Sequence, residues 1–118
     1  EHAVLDDAIF ARLWKESRDA LKPRSAGAVK RELIAKGVER GLAEEAVQDI
    51  DDEDSAYRAG LSLARKLNST DLTIFRRRLW GYLQRRGFSD SVARHTINRH
   101  WDERPDEPRG NTSSPSNL

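Results

Sequence analysis

The feature of this chain that most limits what it can fold into is that it repeats itself. A shift of 50 residues carries Val29, Leu33, Gly37, Val38, Leu42, Ala43 and Val47 onto Leu79, Leu83, Gly87, Phe88, Val92, Ala93 and Ile97. A shift of 48 carries Asp6, Ala8, Ala11 and Leu13 onto Asp54, Ala56, Ala59 and Leu61. The difference between the shifts falls at Asn68-Ser69-Thr70-Asp71, read as a slightly longer loop whose aspartate caps the next helix. Matched apolar positions on either side of a loop insertion mark a duplicated structural unit. A unit of roughly 48 residues buries its apolar stripes poorly alone, so stacking of neighbours is expected to supply much of the stability.

Within each unit the apolar spacing is helical. Phe10, Leu13, Trp14 and Leu21 define a first helix from Ala3 to about Leu21, and Lys22-Pro23 ends it, because the residue before proline avoids the α region. Ala26, Val29 and Leu33 define a second, from about Ser25 to Lys36, with Gly37 where a left-handed cap belongs. Leu42, Ala43, Ala46, Val47 and Ile50 give the two-wide stripe of a third helix wedged between neighbours. The predicted fold is all-α: two tandem three-helix repeats, six helices in an elongated array, spanning residues 1–52 and 53–103. Residues 104–118, RPDEPRGNTSSPSNL, carry no apolar period and are expected to form a disordered tail.

Composition narrows the function. At 118 residues, 36% hydrophobic and 35% charged, the chain cannot enclose a large catalytic core. With no cysteine, thiolate chemistry, disulfides and cysteine-type zinc sites are excluded, which fits a cytoplasmic protein. No apolar run approaches the roughly 18–20 residues of a membrane span, and EHAVLDDAIF is acidic where a secretory signal is basic. The absence of methionine predicts that Glu1 is not a translation start and that an upstream part has been removed. The net charge of +1 conceals segregation: Glu39 to Asp54 holds eight acids against one arginine, and Leu72 to His100 holds seven arginines against one aspartate.

The residues Asp6, Asp7, Phe10, Ala11, Trp14, Ser17, Arg18, Glu32, Leu33, Lys36, Gly37 and Val38 resemble the middle repeat of the RecX regulatory family. The spacing of Leu79 and Leu83 with Gln84-Arg85-Arg86-Gly87-Phe88 is similar to that family's last repeat. The resemblance covers about residues 4–101 and implies the middle and last of three tandem three-helix repeats, with the first missing. It further implies a regulator without catalysis that binds the RecA recombinase, lies along its nucleoprotein filament, and inhibits strand exchange, ATP hydrolysis and coprotease activity. That would place it in DNA recombination, repair and the SOS response.

The residues themselves suggest where a partner would bind. On a helix from Asp71 to Arg86, Leu72, Phe75, Leu79, Tyr82 and Leu83 form the buried stripe, Arg77, Arg78 and Arg85 face away, and Arg76 and Arg86 border it. Like charges on one face repel weakly unless a partner relieves them, and arginine suits carboxylate and phosphate alike. The alternative is a solvated helix face. Lys22, Arg24, Lys30 and Arg31 form the equivalent basic edge of the first unit, and these four with Arg77, Arg78, Arg85 and Arg86 are the candidate partner-binding residues. Trp80 is either half-exposed or plugs the junction between repeats, with the junction favoured, and Trp14 and Trp101 are expected in the core.

Direct binding of single- or double-stranded DNA is the second reading, since helix, Gly turn and helix superficially match a helix-turn-helix. Only Arg94, Asn98 and Arg99 are placed to reach bases, and Glu44, Glu45 and Asp49 would repel phosphates. The acidic run from Asp49 fails as a calcium loop, with Asp54 at the sixth position and Gly60 at the twelfth. His95 and His100 are wrongly spaced for a metal on one helical face. No metal, cofactor or small-molecule substrate is expected, and no set of nucleophile, base and orienting group is present.

Overall fold

The computed structural model describes residues 2–21 and 23–105, and of residues 2–5, 20 and 21 only the backbone. Six helices account for most of them, with no strand among the described residues: α1 (His2–Leu21), α2 (Ala26–Ala35), α3 (Arg40–Val47), α4 (Asp52–Lys66), α5 (Leu72–Arg85) and α6 (Asp90–Asp102). Each start after α1 follows from its capping residue. Ser25, Glu39, Asp51, Asp71 and Ser89 all sit in extended backbone and accept from an N–H of the first turn. The middle helices end alike: Gly37 and Gly87 have φ of 97° and 89°, and Val38 and Phe88 donate back to the carbonyls of Leu33 and Leu83.

Two cores form, one per repeat, and the duplication maps one onto the other. Ala11, Val29, Leu33, Val38, Ala43 and Val47 are buried together in the first. Their counterparts Ala59, Leu79, Leu83, Phe88, Ala93 and Ile97 are buried in the second, joined by Ala56, Ala64, Leu67 and Phe75. On α5, Phe75, Leu79 and Leu83 are buried as the stripe predicts, with Leu72 and Tyr82 half-buried at its edge.

Three expectations are corrected. On α1 the inward face is set by Ala11 and Trp14, while Phe10 and Leu13 are 40% and 60% exposed, beside Ile9 at 58%. A close approach of α1 to the helices beneath it selects the small residue, so the buried stripe sits one position away from that of the larger apolar residues. Trp80 does not plug the repeat junction: it packs half-buried on the second core, facing the groove between α5 and α6. Arg104, expected to begin the tail, stacks 3.5 Å from the Trp101 ring centroid and donates to the Asn68 carbonyl at 3.0 Å. Residues 106–118 lie outside the described residues.

The helix pairs that pack closely all lie within one repeat. Between the repeats the contacts described are mainly polar and centre on the start of α2. The Ser25 N–H donates to the Arg86 carbonyl at 3.1 Å, and the Ala26 N–H to the Asp52 carboxylate at 2.8 Å. Both are donors that a helix N-terminus leaves without partners, so the second repeat supplies what α2 lacks. Arg58 completes the junction, reaching the Asp19 carboxylate at 2.8 Å and its carbonyl at 3.2 Å. The result measures 72 × 20 × 17 Å, with a radius of gyration of 18.5 Å; a compact domain of about 100 residues has one of about 13 Å.

Candidate partner-binding surface

The cations of the first repeat are largely engaged. Lys30 pairs with Glu44 at 3.0 Å, and that hydrogen bond, aided by the lysine charge, holds the Glu44 carboxyl below its ordinary range. Arg24 has its Nε 3.4 Å from Glu32, in ion-pair range but without hydrogen-bond geometry. Glu32 also accepts from the Trp14 indole N–H at 2.9 Å and from Arg18 at 3.1 Å, while the cations of Arg18 and Lys36 lie 5.0 and 4.6 Å from the Trp14 ring centroid. Trp14 is therefore half-buried, its ring on the core and its N–H on a carboxylate. Arg31 is exposed beside the junction, and Lys22 lies outside the described residues.

The second repeat differs. Arg76, Arg77, Arg78, Arg85 and Arg94 are exposed, and none has a carboxylate within 4.0 Å among the described residues. Arg85 folds back across Gly81, its Nη1 3.2 Å from where a Cβ would stand, which keeps its charge on the face of Arg77 and Arg78. Arg86 is structural: its guanidinium stacks 3.9 Å from the Tyr82 ring centroid, and its carbonyl accepts across the junction. Between α5 and α6 lies a groove of about 600 Å³ lined by Thr73, Arg76, Arg77, Trp80, Arg94, Ile97 and Asn98.

The opposite side of the second repeat is occupied by an internal network. His100 is buried, its ring stacked 4.2 Å from that of Tyr57, and its Nε2 lies 3.0 Å from the Tyr57 carbonyl. That contact makes Nε2 the protonated nitrogen. Burial pushes the His100 pKa down, opposed by this hydrogen bond and by the Glu103 charge. The Tyr57 hydroxyl donates to Glu103 at 2.6 Å, lowering the Glu103 pKa and raising that of Tyr57. Among the described residues no cluster of histidine and carboxylate side chains is arranged to hold a metal ion, and no helix is long and apolar enough to cross a membrane.

With this architecture established, comparison with known proteins is specific. Residues 6–47, which run from α1 through α3, match the family described as RecX, second three-helix domain. The chain is 36% identical over 106 residues to the regulatory protein RecX of Streptomyces coelicolor, covering 87% of this chain and 56% of that protein. It is 31% identical over 103 residues to that of Chlorobium limicola, covering 87% and 65%, and 37% identical over 94 residues to that of Mycobacterium ulcerans, covering 76% and 54%. The chain belongs to the RecX family.

It spans 54–65% of the length of these RecX relatives, and no solved structure matches it. Several of the residues that carry the RecX resemblance converge in space: Trp14, Arg18, Glu32 and Lys36 form one cluster that ties α1 to α2. Their placement accounts for the pattern by packing. Sequence reasoning missed the α5–α6 groove as a unit, although it singled out Trp80, Arg94 and Asn98 separately. The signal that could have joined them is the pairing of Arg76 and Trp80 at i and i+4 on α5 with Arg94 and Asn98 at i and i+4 on α6.

Proposed function

We propose that this chain is a non-enzymatic, cytoplasmic regulator that binds the RecA recombinase on its nucleoprotein filament and restrains recombinase, ATPase and coprotease activity. The observation that carries the reading is membership of a family of regulatory proteins, joined to an α5 face whose Arg77, Arg78 and Arg85 have no carboxylate partner among the described residues. An elongated two-repeat array suits a partner that is itself extended, because it offers a long surface for a modest core. Of the eight cations assigned to that surface, Arg31, Arg77, Arg78 and Arg85 remain available. Arg24, Lys30 and Arg86 act within the fold, and Lys22 lies outside the described residues.

The test is co-sedimentation with RecA in the presence and absence of single-stranded DNA. Association that requires RecA, with or without DNA, supports the regulator reading. Association with DNA alone, falling steeply and linearly in log salt, supports direct nucleic-acid binding instead. Association with neither rejects both.

A further inference from the structure

We propose that the α5–α6 groove is a docking site for an acidic peptide segment that carries one large apolar side chain. As the place where the filament protein would be held, it rests on the regulator reading; as a peptide site, it stands or falls without the filament.

The inference comes from comparing the two repeats at matched positions. The shift of 50 that superimposes the cores pairs Lys30 with Trp80, Glu44 with Arg94, and Val47 with Ile97. In the first repeat Lys30 and Glu44 bond to one another at 3.0 Å across α2 and α3, so the position is closed by an internal ion pair. In the second repeat the same two positions hold a tryptophan and an arginine, which cannot form that pair. The groove lies open there. Duplicated units with equivalent cores thus differ where one closes its helix pair and the other leaves it available.

The lining defines the occupant. Ile97 is buried and forms an apolar floor, and Trp80 is a half-buried wall already packed on the core, so the site is preformed. Arg76 and Arg77 from α5 and Arg94 from α6 surround it, and among the described residues no carboxylate lines it. Three cations around one concavity repel each other, and carboxylates relieve that repulsion through the two-pronged geometry that guanidinium groups favour. Thr73 and Asn98 are exposed neutral groups able to hydrogen-bond a peptide backbone. A volume of about 600 Å³ admits one large side chain with its neighbours.

A polynucleotide suits the site less well, because it needs a continuous basic track. On α6 the next cation, Arg99, is paired with Glu103 at 3.1 Å, and Asp102 follows; the first repeat presents Glu44, Glu45 and Asp49.

The experiment is fluorescence anisotropy of a labelled octapeptide of aspartate and glutamate around one central leucine. Comparison probes are the same peptide with serine for leucine and a ten-nucleotide oligothymidylate. The wild-type chain is expected to bind the leucine peptide, and to bind the serine peptide about tenfold more weakly through the lost apolar contact. Arg94→Glu, and separately Arg76→Gln with Arg77→Gln, should each weaken the leucine peptide by about tenfold or more. These are exposed positions, so melting temperatures should stay near wild type, and Arg65→Gln with Lys66→Gln on α4 should leave binding unchanged. Equal affinity of wild type and Arg94→Glu for the peptide would overturn the proposal. So would tighter binding of oligothymidylate, lost in the same variants. Co-sedimentation with the RecA filament separates the two readings. If wild type and Arg94→Glu associate equally, the groove is not where the filament protein is held, the regulator reading stands, and the peptide assay decides the groove as a peptide site; if wild type does not associate, the regulator reading fails and peptide binding alone decides the groove.

Discussion

A Cβ on Gly87 would stand 2.7 Å from the Ser25 Oγ and 2.7 Å from the Ala28 Cβ, so the bare backbone of the second repeat's turn is what admits the N-terminus of α2. Its counterpart Gly37 has the same left-handed φ but nothing within 4 Å. One glycine serves a turn, the other a turn and a junction. Alanine at Gly37 should therefore cost roughly 1–2 kcal/mol of backbone strain. Alanine at Gly87 should add an overpacking term of about 1–3 kcal/mol and increase the radius of gyration as the repeats part. Urea denaturation and small-angle scattering of both variants check this; equal costs and unchanged dimensions would mean the contact yields freely.

Leu33 and Leu83 occupy matched, fully buried positions in separate cores. Replacement of either by alanine should cost on the order of 2–5 kcal/mol. Because the junction rests on a few polar contacts, Leu33→Ala should loosen the first repeat preferentially. Amide hydrogen exchange is the measurement: protection in α2 and α3 should fall more than in α5 and α6, and the pattern should invert for Leu83→Ala.

Glu32 joins three groups of the first repeat, accepting from the Trp14 indole and the Arg18 side chain and pairing by charge with Arg24. Removing it in Glu32→Ala leaves the half-buried indole N–H and the Arg18 guanidinium without an acceptor and Arg24 without its counter-charge, at a cost of about 1–3 kcal/mol. Glu32→Gln retains an oxygen for the indole and should lose less. Thermal unfolding of the two variants gives the comparison, and a neutral alanine variant would show that the cluster contributes nothing.

His100 predicts a pH dependence. Burial lowers its pKa in the folded chain below the ordinary value of 6.5, so the unfolded chain binds the proton more tightly. Stability should be complete above about pH 7 and decline as the pH falls from the unfolded pKa towards the folded one. Urea midpoints measured from pH 7.5 down to 5 should show this slope, and His100→Gln, though less stable at neutral pH, should lack it. An identical slope in the variant would assign it to other groups.

Replacing Arg77, Arg78 and Arg85 together by glutamine should weaken filament association by about tenfold or more while shifting the melting temperature little, since exposed charges contribute little to folding. If association is unchanged, the face is only solvated.

Sequence alone determined the repeats, the six helices and most of the core, because each depends on periodicity and local chemistry. Leu33 and Leu83 were placed by spacing, Asp71 by its capping chemistry, and Gly37 and Gly87 by the left-handed turn that ends a helix. The basic face of α5 was legible for the same reason, as helical phase fixes which arginines point away from a stripe.

What tertiary structure decided was everything that depends on a second element. Whether Phe10 or Ala11 faces inward is set by how closely α1 approaches its neighbours, a distance that does not appear in hydrophobicity. Whether Lys30 is free depends on Glu44, one helix away, and whether Trp80 meets the junction or a groove depends on the course of α6. A side chain's charge is written in the sequence, but its availability is set by what the fold brings within a few ångströms, because ion pairs and contacts form between residues that chain spacing does not bring together.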